Sequence, residues 1–167
     1  MKKIFILSIM FAFYANNISA QDVRFTASIY SEPQHFSTEL WEEADGFNIG
    51  LGIEYQMTIT YFDIDMYMFP NLNGADYFEI QGTLLGFNHH SRFRDWRFKL
   101  GLIKPGFNKR DNQTYPMIGS DVGIEYYFNT FYVGAEVSGN YREDNKYWGV
   151  DEGFYRVNAG IKIGIQW

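Results

Sequence analysis

Residues 155–167 read YRVNAGIKIGIQW, and this stretch decides the fold. Tyr155, Val157, Ala159, Ile161, Ile163, Ile165 and Trp167 fall on one parity; Arg156, Asn158, Gly160, Lys162, Gly164 and Gln166 fall on the other. Successive side chains of a strand point to opposite faces, whereas a helix would spread both sets around its circumference. The segment is therefore a strand with one apolar face and one face of charge, amide and glycine.

The same period of two recurs upstream. Phe131, Val133, Ala135 and Val137 alternate with Tyr132, Gly134, Glu136 and Ser138, and Val122, Ile124, Tyr126 and Phe128 alternate with Asp121, Gly123, Glu125 and Tyr127. Only Asn129 and Thr130 separate these two runs, a spacing that suits a tight hairpin. Further runs lie at Trp96 to Leu102, Phe78 to Leu84, Tyr61 to Met68, Phe47 to Tyr55 and Val23 to Tyr30. The run from Phe78 loses its alternation near Leu85 and Phe87, so its register between Leu84 and Asn88 is left open.

Eight strands follow, an even number, and their connections alternate in length. Ser31 to Asp45, Pro70 to Gly74, Lys104 to Pro116 and Asn140 to Glu152 are long or turn-rich; Gln56 to Thr58, Asn88 to Asp95 and Asn129 to Thr130 are short. That pattern predicts an all-β, eight-stranded antiparallel up-and-down barrel, with both termini on the short-turn side. Residues 1–20 stand apart. Lys2 and Lys3 precede an apolar run from Ile4 to Tyr14, and Ser19 and Ala20 precede Gln21, the order of a secretory signal peptide cleaved after Ala20. The barrel domain is then 21–167.

Alternation alone fits two barrels: a soluble one with an apolar lumen, of the lipocalin kind, and a membrane one turned inside out. The polar face discriminates. It carries Arg24, Glu54, Asp63, Asp65, Glu79, Arg97, Lys99, Asp121, Glu125, Glu136, Arg156 and Lys162 beside Gly50, Gly52, Gly101, Gly123, Gly134, Gly160 and Gly164. Glycines relieve crowding in a narrow lumen but would only weaken strands on a soluble exterior. The opposite face is almost free of charge, as hydrocarbon demands. Trp167, Tyr55, Phe128, Phe131 and Trp96 at the short-turn ends, and Phe47, Met68, Tyr155 and Phe78 at the loop ends, make two aromatic-rich girdles.

Composition removes other classes. With 46% hydrophobic and 20% aromatic residues the chain of 167 cannot stay unfolded, and with no cysteine it has neither a disulfide scaffold nor a lipoprotein anchor. Removing Lys2 and Lys3 from the 14 Lys and Arg leaves 12 against 20 Asp and Glu, a net charge near −8. A pI near 5.0 argues against nucleic acid, which requires a basic footprint. The mean hydropathy of −0.29 averages a polar lumen with an apolar exterior and does not signify a soluble protein.

Taken together, the leader, the eight strands and the ending Val157, Ala159, Ile161, Ile163, Ile165, Trp167 resemble the small outer-membrane β-barrel proteins of Gram-negative bacteria. The cleavage context Ser19-Ala20-Gln21 and the aromatic-rich strands resemble proteins of Bacteroidetes. The resemblance implies a location in the outer membrane with both termini in the periplasm, surrounded by outer-membrane lipid and lipopolysaccharide. It also implies that Ile163, Ile165 and Trp167 form the assembly signal read by the barrel-assembly machinery.

Candidates for chemistry are few. His89 and Ser91 share a His-x-Ser spacing that resembles part of the lipid A 3-O-deacylase motif, but Arg92 and Phe93 stand where Asn-Ala should follow. The predicted topology also puts them in a short turn, and a polar turn is the preferred reading. His35, in the first long loop, resembles the histidine of the lipid A palmitoyltransferase family; its Asp-Ser pair has no counterpart at Asp76, where Tyr77 follows. Asp63 and Asp65 could suggest a metal, yet the cations sharing their interior favour ion pairs, since a buried carboxylate must be paired. No catalytic residue, metal or cofactor is expected. The outer loops remain: an acidic first loop at Glu39, Glu42, Glu43 and Asp45, a basic third at Lys104, Lys109 and Arg110, and an aromatic fourth. Trp41, Tyr141, Tyr147 and Trp148 are the candidate contacts for an unnamed external partner. The expected function is non-enzymatic, structural or surface-contact, and not an open porin; a lipid A modifying enzyme and a soluble lipocalin-like barrel are the alternatives.

Overall fold

Asn129 has a φ of 61°, a left-handed conformation that asparagine tolerates better than most residues and that two-residue hairpin loops use. With Thr130 it reverses the chain between strands β8 (Gln113–Phe128) and β9 (Phe131–Arg142). The computed structural model describes residues 22–36, 41–43, 47–72, 75–91, 95–110, 112–144 and 154–166. The other strands are β1 (Asp22–Phe36), β2 (Trp41–Glu43), β3 (Phe47–Gln56), β4 (Thr60–Leu72), β5 (Ala75–Gly82), β6 (Leu85–His90), β7 (Trp96–Arg110) and β10 (Phe154–Gln166). Every pairing is antiparallel, and β10 closes on β1 with Ile161 opposite Ile29 and Ile165 opposite Phe25. Since β5 and β6 are two halves of one wall strand between β4 and β7, and β2 only pairs with the end of β1, the barrel has eight strands.

The two faces sort as the alternation requires. Ile49, Ile64, Phe98, Val122, Val137, Ile161 and Ile163 lie exposed on the outer wall, while all twelve charged residues assigned to the polar face are buried inside. The inward glycines have a steric reason: a Cβ at Gly164 would collide with the Tyr132 ring. Aromatic pairs mark both ends of the wall. Tyr126 packs edge-on against Trp96 at 4.7 Å and Phe128 at 4.6 Å at the short-turn end, and Tyr141 meets Tyr155 at 5.2 Å toward the loop end.

Two bulges separate this barrel from the sequence expectation. Leu84 and Leu85 both face outward, and so do Leu102 and Ile103 on the neighbouring strand. The β6–β7 register shifts between Leu85 and Gly86, and the β7–β8 register shifts between Gly101 and Lys104. A bulge inserts one residue and flips the phase of everything beyond it. The apolar doublets are thus phase changes within continuous walls and not strand ends. Beyond its doublet β7 runs on to Arg110, and β8 begins at Gln113, so the expected loop from Lys104 to Pro116 is mostly a paired hairpin. Similarly, β1 continues through His35 to Phe36, β6 extends to His90, and β9 reaches Arg142.

Candidate functional site

The barrel interior holds three tiers of charge. At the short-turn end, the Arg97 guanidinium from β7 lies 2.6 Å from Glu54 of β3 and 3.0 Å from Glu125 of β8. Arg24 of β1 reaches Glu125 at 3.1 Å and donates to the Tyr127 hydroxyl, which in turn donates to Glu125. Lys99 takes the other Glu54 oxygen at 2.7 Å. The cations also lie over aromatic faces, Arg24 over Tyr127 at 4.8 Å and Lys99 over Tyr61 at 4.5 Å. Such contacts strengthen where water is excluded.

The middle tier is built around Lys104, which the second bulge turns inward. Its ammonium reaches Asp65 at 3.2 Å, lies 3.8 Å from Asp63 and closes on Asp121. Lys162 joins Glu136 at 2.7 Å and Asp65 at 3.5 Å, while Tyr61 donates its hydroxyl to Asp121 at 3.1 Å. Asp63 and Asp65 therefore face lysines, as the ion-pair reading expects.

Toward the loop end, Asp144 accepts from Arg110 Nε at 2.6 Å and from Arg142 Nε at 3.2 Å. The Tyr77 ring has Arg110 at 4.9 Å and Arg142 at 4.4 Å, and its hydroxyl donates to Glu79 at 2.6 Å. Burial pushes the Asp144 carboxyl up, but the guanidinium groups of Arg142, Arg110 and Arg156 outweigh it and hold the group below its usual range. The middle and loop-end tiers together correct the basic third loop: Lys104 and Arg110 are buried in the lumen, and of the three residues assigned to that loop surface Lys109 alone is exposed. Arg142 and Asp144, expected in the fourth loop, are buried with them. The signal that could have found Lys104 and Arg110 is the resumption of alternation past the apolar doublet, with Asn108 and Arg110 on one parity and Phe107 and Lys109 on the other, and for Arg142 it is the continued alternation of Ser138 and Asn140 along β9.

Among the described residues, eight cations (Arg24, Arg97, Lys99, Lys104, Arg110, Arg142, Arg156, Lys162) and eight carboxylates (Glu54, Asp63, Asp65, Glu79, Asp121, Glu125, Glu136, Asp144) are buried. These described charges balance, and an eight-stranded interior is only wide enough for its own side chains.

The remaining sequence candidates are dispersed. His35 is not in an irregular loop; its backbone sits in β1 opposite Glu42 of β2 and Arg156 of β10. His89 is exposed on the outer wall, and the Gln56 side chain meets His90 at the lumen mouth. Ser91 accepts the Trp96 backbone N–H on its hydroxyl at 3.2 Å and so ties the turn together. Trp41 lies in β2, and Tyr141 is half-buried against Tyr155. Ile163 and Ile165 are exposed on the wall near the end of β10. Residues 1–20, Tyr147, Trp148 and Trp167 lie outside the described residues.

No protein-family model matches the chain, and no curated protein matches it. Solved structures do. The crystal structure of Neisserial surface protein A (NspA) aligns with a TM-score of 0.61 at 16% identity, covering 89% of this chain and 96% of that one. The crystal structure of the N-terminal β-barrel domain of Pseudomonas aeruginosa OprF aligns with a TM-score of 0.53 at 13% identity, covering 86% and 97% respectively. Both neighbours are eight-stranded outer-membrane barrels, and at such identities the likeness establishes the closed eight-stranded fold.

Proposed function

We propose that this chain is a non-enzymatic outer-membrane barrel that presents its long loops outside the cell and keeps both termini in the periplasm. The observation that carries the reading is the packed, charge-balanced lumen under a continuous apolar wall. With sixteen buried charges tied together across the interior, the barrel offers a rigid stalk and no aqueous path, which leaves function to the loop end. Lipopolysaccharide and outer-membrane lipid are its surroundings, and the barrel-assembly machinery is its route to them. Bacteroidetes as the source rests on the leader and the aromatic strands.

The loop end is acidic in sequence. Glu32, Glu39, Glu42, Glu43, Asp45, Asp76, Asp111, Glu143, Asp151 and Glu152 lie in or beside the long connections, against Lys109 and Lys146. A field of one sign steers partners of the other and is screened by salt. With Trp41, Tyr147 and Trp148 as contacts, the reading is adhesion to an external partner that weakens as ionic strength rises.

Mass spectrometry of lipid A from cells with and without the protein tests the enzyme alternative. An unchanged acyl pattern, with cell or phage binding altered by Tyr147→Ala and Trp148→Ala, supports the contact role. A changed acyl count abolished by His35→Ala or His89→Ala replaces it with a lipid A enzyme. Stable porin-sized current steps in planar bilayers would refute the sealed lumen.

A further inference from the structure

The apolar outer wall has a notch whose floor is glycine. Ser120 of β8 and Gly139 of β9 are cross-strand partners and both face outward, where neighbouring rows carry Val122 with Val137 and Ile118 with Tyr141. The missing side-chain bulk opens a groove of about 330 Å³, walled by Leu102 on one flank and by Ile118, Tyr141 and Tyr155 on the loop side. The groove is shallow and open along the outer surface.

Nothing in the fold requires glycine here. Gly139 does not adopt a positive φ, and a Cβ built on it would meet no atom within 4 Å. This is the reverse of Gly164, where the lumen leaves no room. A glycine in a strand interior weakens the strand and often marks the close approach of a ligand. The groove is continuous with the hydrocarbon-facing wall, and it ends under the Tyr141–Tyr155 pair, rings of the amphipathic kind that sit at headgroup level.

We infer that the notch over Gly139 seats one acyl chain of an outer-leaflet lipid, with Ser120 and the two tyrosines toward its polar end. This rests on the membrane reading above and adds a specific lipid position to it. A seated chain has van der Waals partners on three sides, where chains against the flat wall have one, so it exchanges more slowly than bulk lipid.

The test is native mass spectrometry of the folded chain in mild detergent with added dimyristoyl phosphatidylglycerol as the probe. Wild type should hold one lipid per chain, and Gly139→Leu, whose Cβ meets no atom within 4 Å and whose branched end fills the notch, should lower that occupancy at least fivefold. Ala135→Leu places the same side chain outward on the same strand, away from the groove, and should leave occupancy unchanged. Equal occupancy in wild type and Gly139→Leu overturns the inference. So does a disulfide-linked dimer through Ser120→Cys, the only cysteine such a chain would have, which would make the occupant a second copy. Failure of the membrane reading is distinguishable, because wild type would then remain folded in aqueous buffer without detergent.

Discussion

Replacing Arg97 by Met should be among the most damaging single changes in the lumen. Its guanidinium is buried between two carboxylates, 2.6 Å from Glu54 and 3.0 Å from Glu125. Methionine keeps most of the volume and removes the charge, so the effect reports electrostatics more than packing. Breaking a buried pair by removing one partner costs about 3–5 kcal/mol. Lys99 stays 2.7 Å from Glu54 and Arg24 stays 3.1 Å from Glu125, which places the expected loss near the lower bound, about 3 kcal/mol. In urea unfolding from lipid vesicles followed by tryptophan fluorescence, a slope of about 1–3 kcal/mol per molar turns this into a midpoint lowered by roughly 1–3 M. Adding Glu54→Gln to Arg97→Met restores the balance of buried charge that the single change upsets and should recover a measurable part of the loss. A single-variant loss below about 0.5 kcal/mol with an unchanged slope would refute the reasoning, since that is the behaviour of ion pairs in a solvated lumen.

Ile161 is 59% exposed on the outer wall beside buried Lys162, so Ile161→Arg should cost about 2–4 kcal/mol in the same unfolding assay while Ile161→Leu costs little; an unaffected Ile161→Arg barrel would mean that the register is off by one. Deleting Ile165 to Trp167 should reduce membrane insertion in cells more than Tyr147→Ala does, and equal insertion of the two variants would remove the assembly signal from this strand. Because the Asp144 carboxyl is held low in the folded state, its contribution to stability is present above the ordinary carboxylate value, about 3.9, and is lost as pH falls through the lower folded value. Asp144→Asn should therefore lower the unfolding midpoint at pH 7, and the gap from wild type should close below about pH 4; a gap that persists at low pH contradicts the Arg110–Asp144–Arg142 clamp.

Periodicity made most of the barrel legible, because a wall strand facing two solvents must alternate. The eight strands, the Asn129–Thr130 hairpin and the sorting of charge to one face all follow from that rule. It stops at Leu84-Leu85 and Leu102-Ile103, where two adjacent apolar residues look like the end of a strand. Lys104-Pro105-Gly106 then reads as a turn, since proline and glycine punctuate strands. In the barrel these residues are held by β5 on one side and β8 on the other, with Gly106 opposite Gln81 and Met117, so long-range pairing overrides the local signal. The local signal therefore assigns Lys104 to a loop, and Arg110 with it, because it ends their strand at the doublet. Asp144 lies just past the end of β9, outside any alternating run, and only the convergence of Arg110 and Arg142 gives it a role. The Gly139 notch was equally hidden, because lumen glycines explain themselves by crowding and one outward glycine looks like noise beside them.

Flotation of the folded chain with phospholipid vesicles after an alkaline wash tests the central claim, that the apolar face points outward and the charged face inward. With that orientation the chain stays with the vesicles and migrates faster on a gel unheated than boiled. A chain that leaves the vesicles and persists as a folded monomer in detergent-free buffer would contradict it and restore the soluble, lipocalin-like barrel.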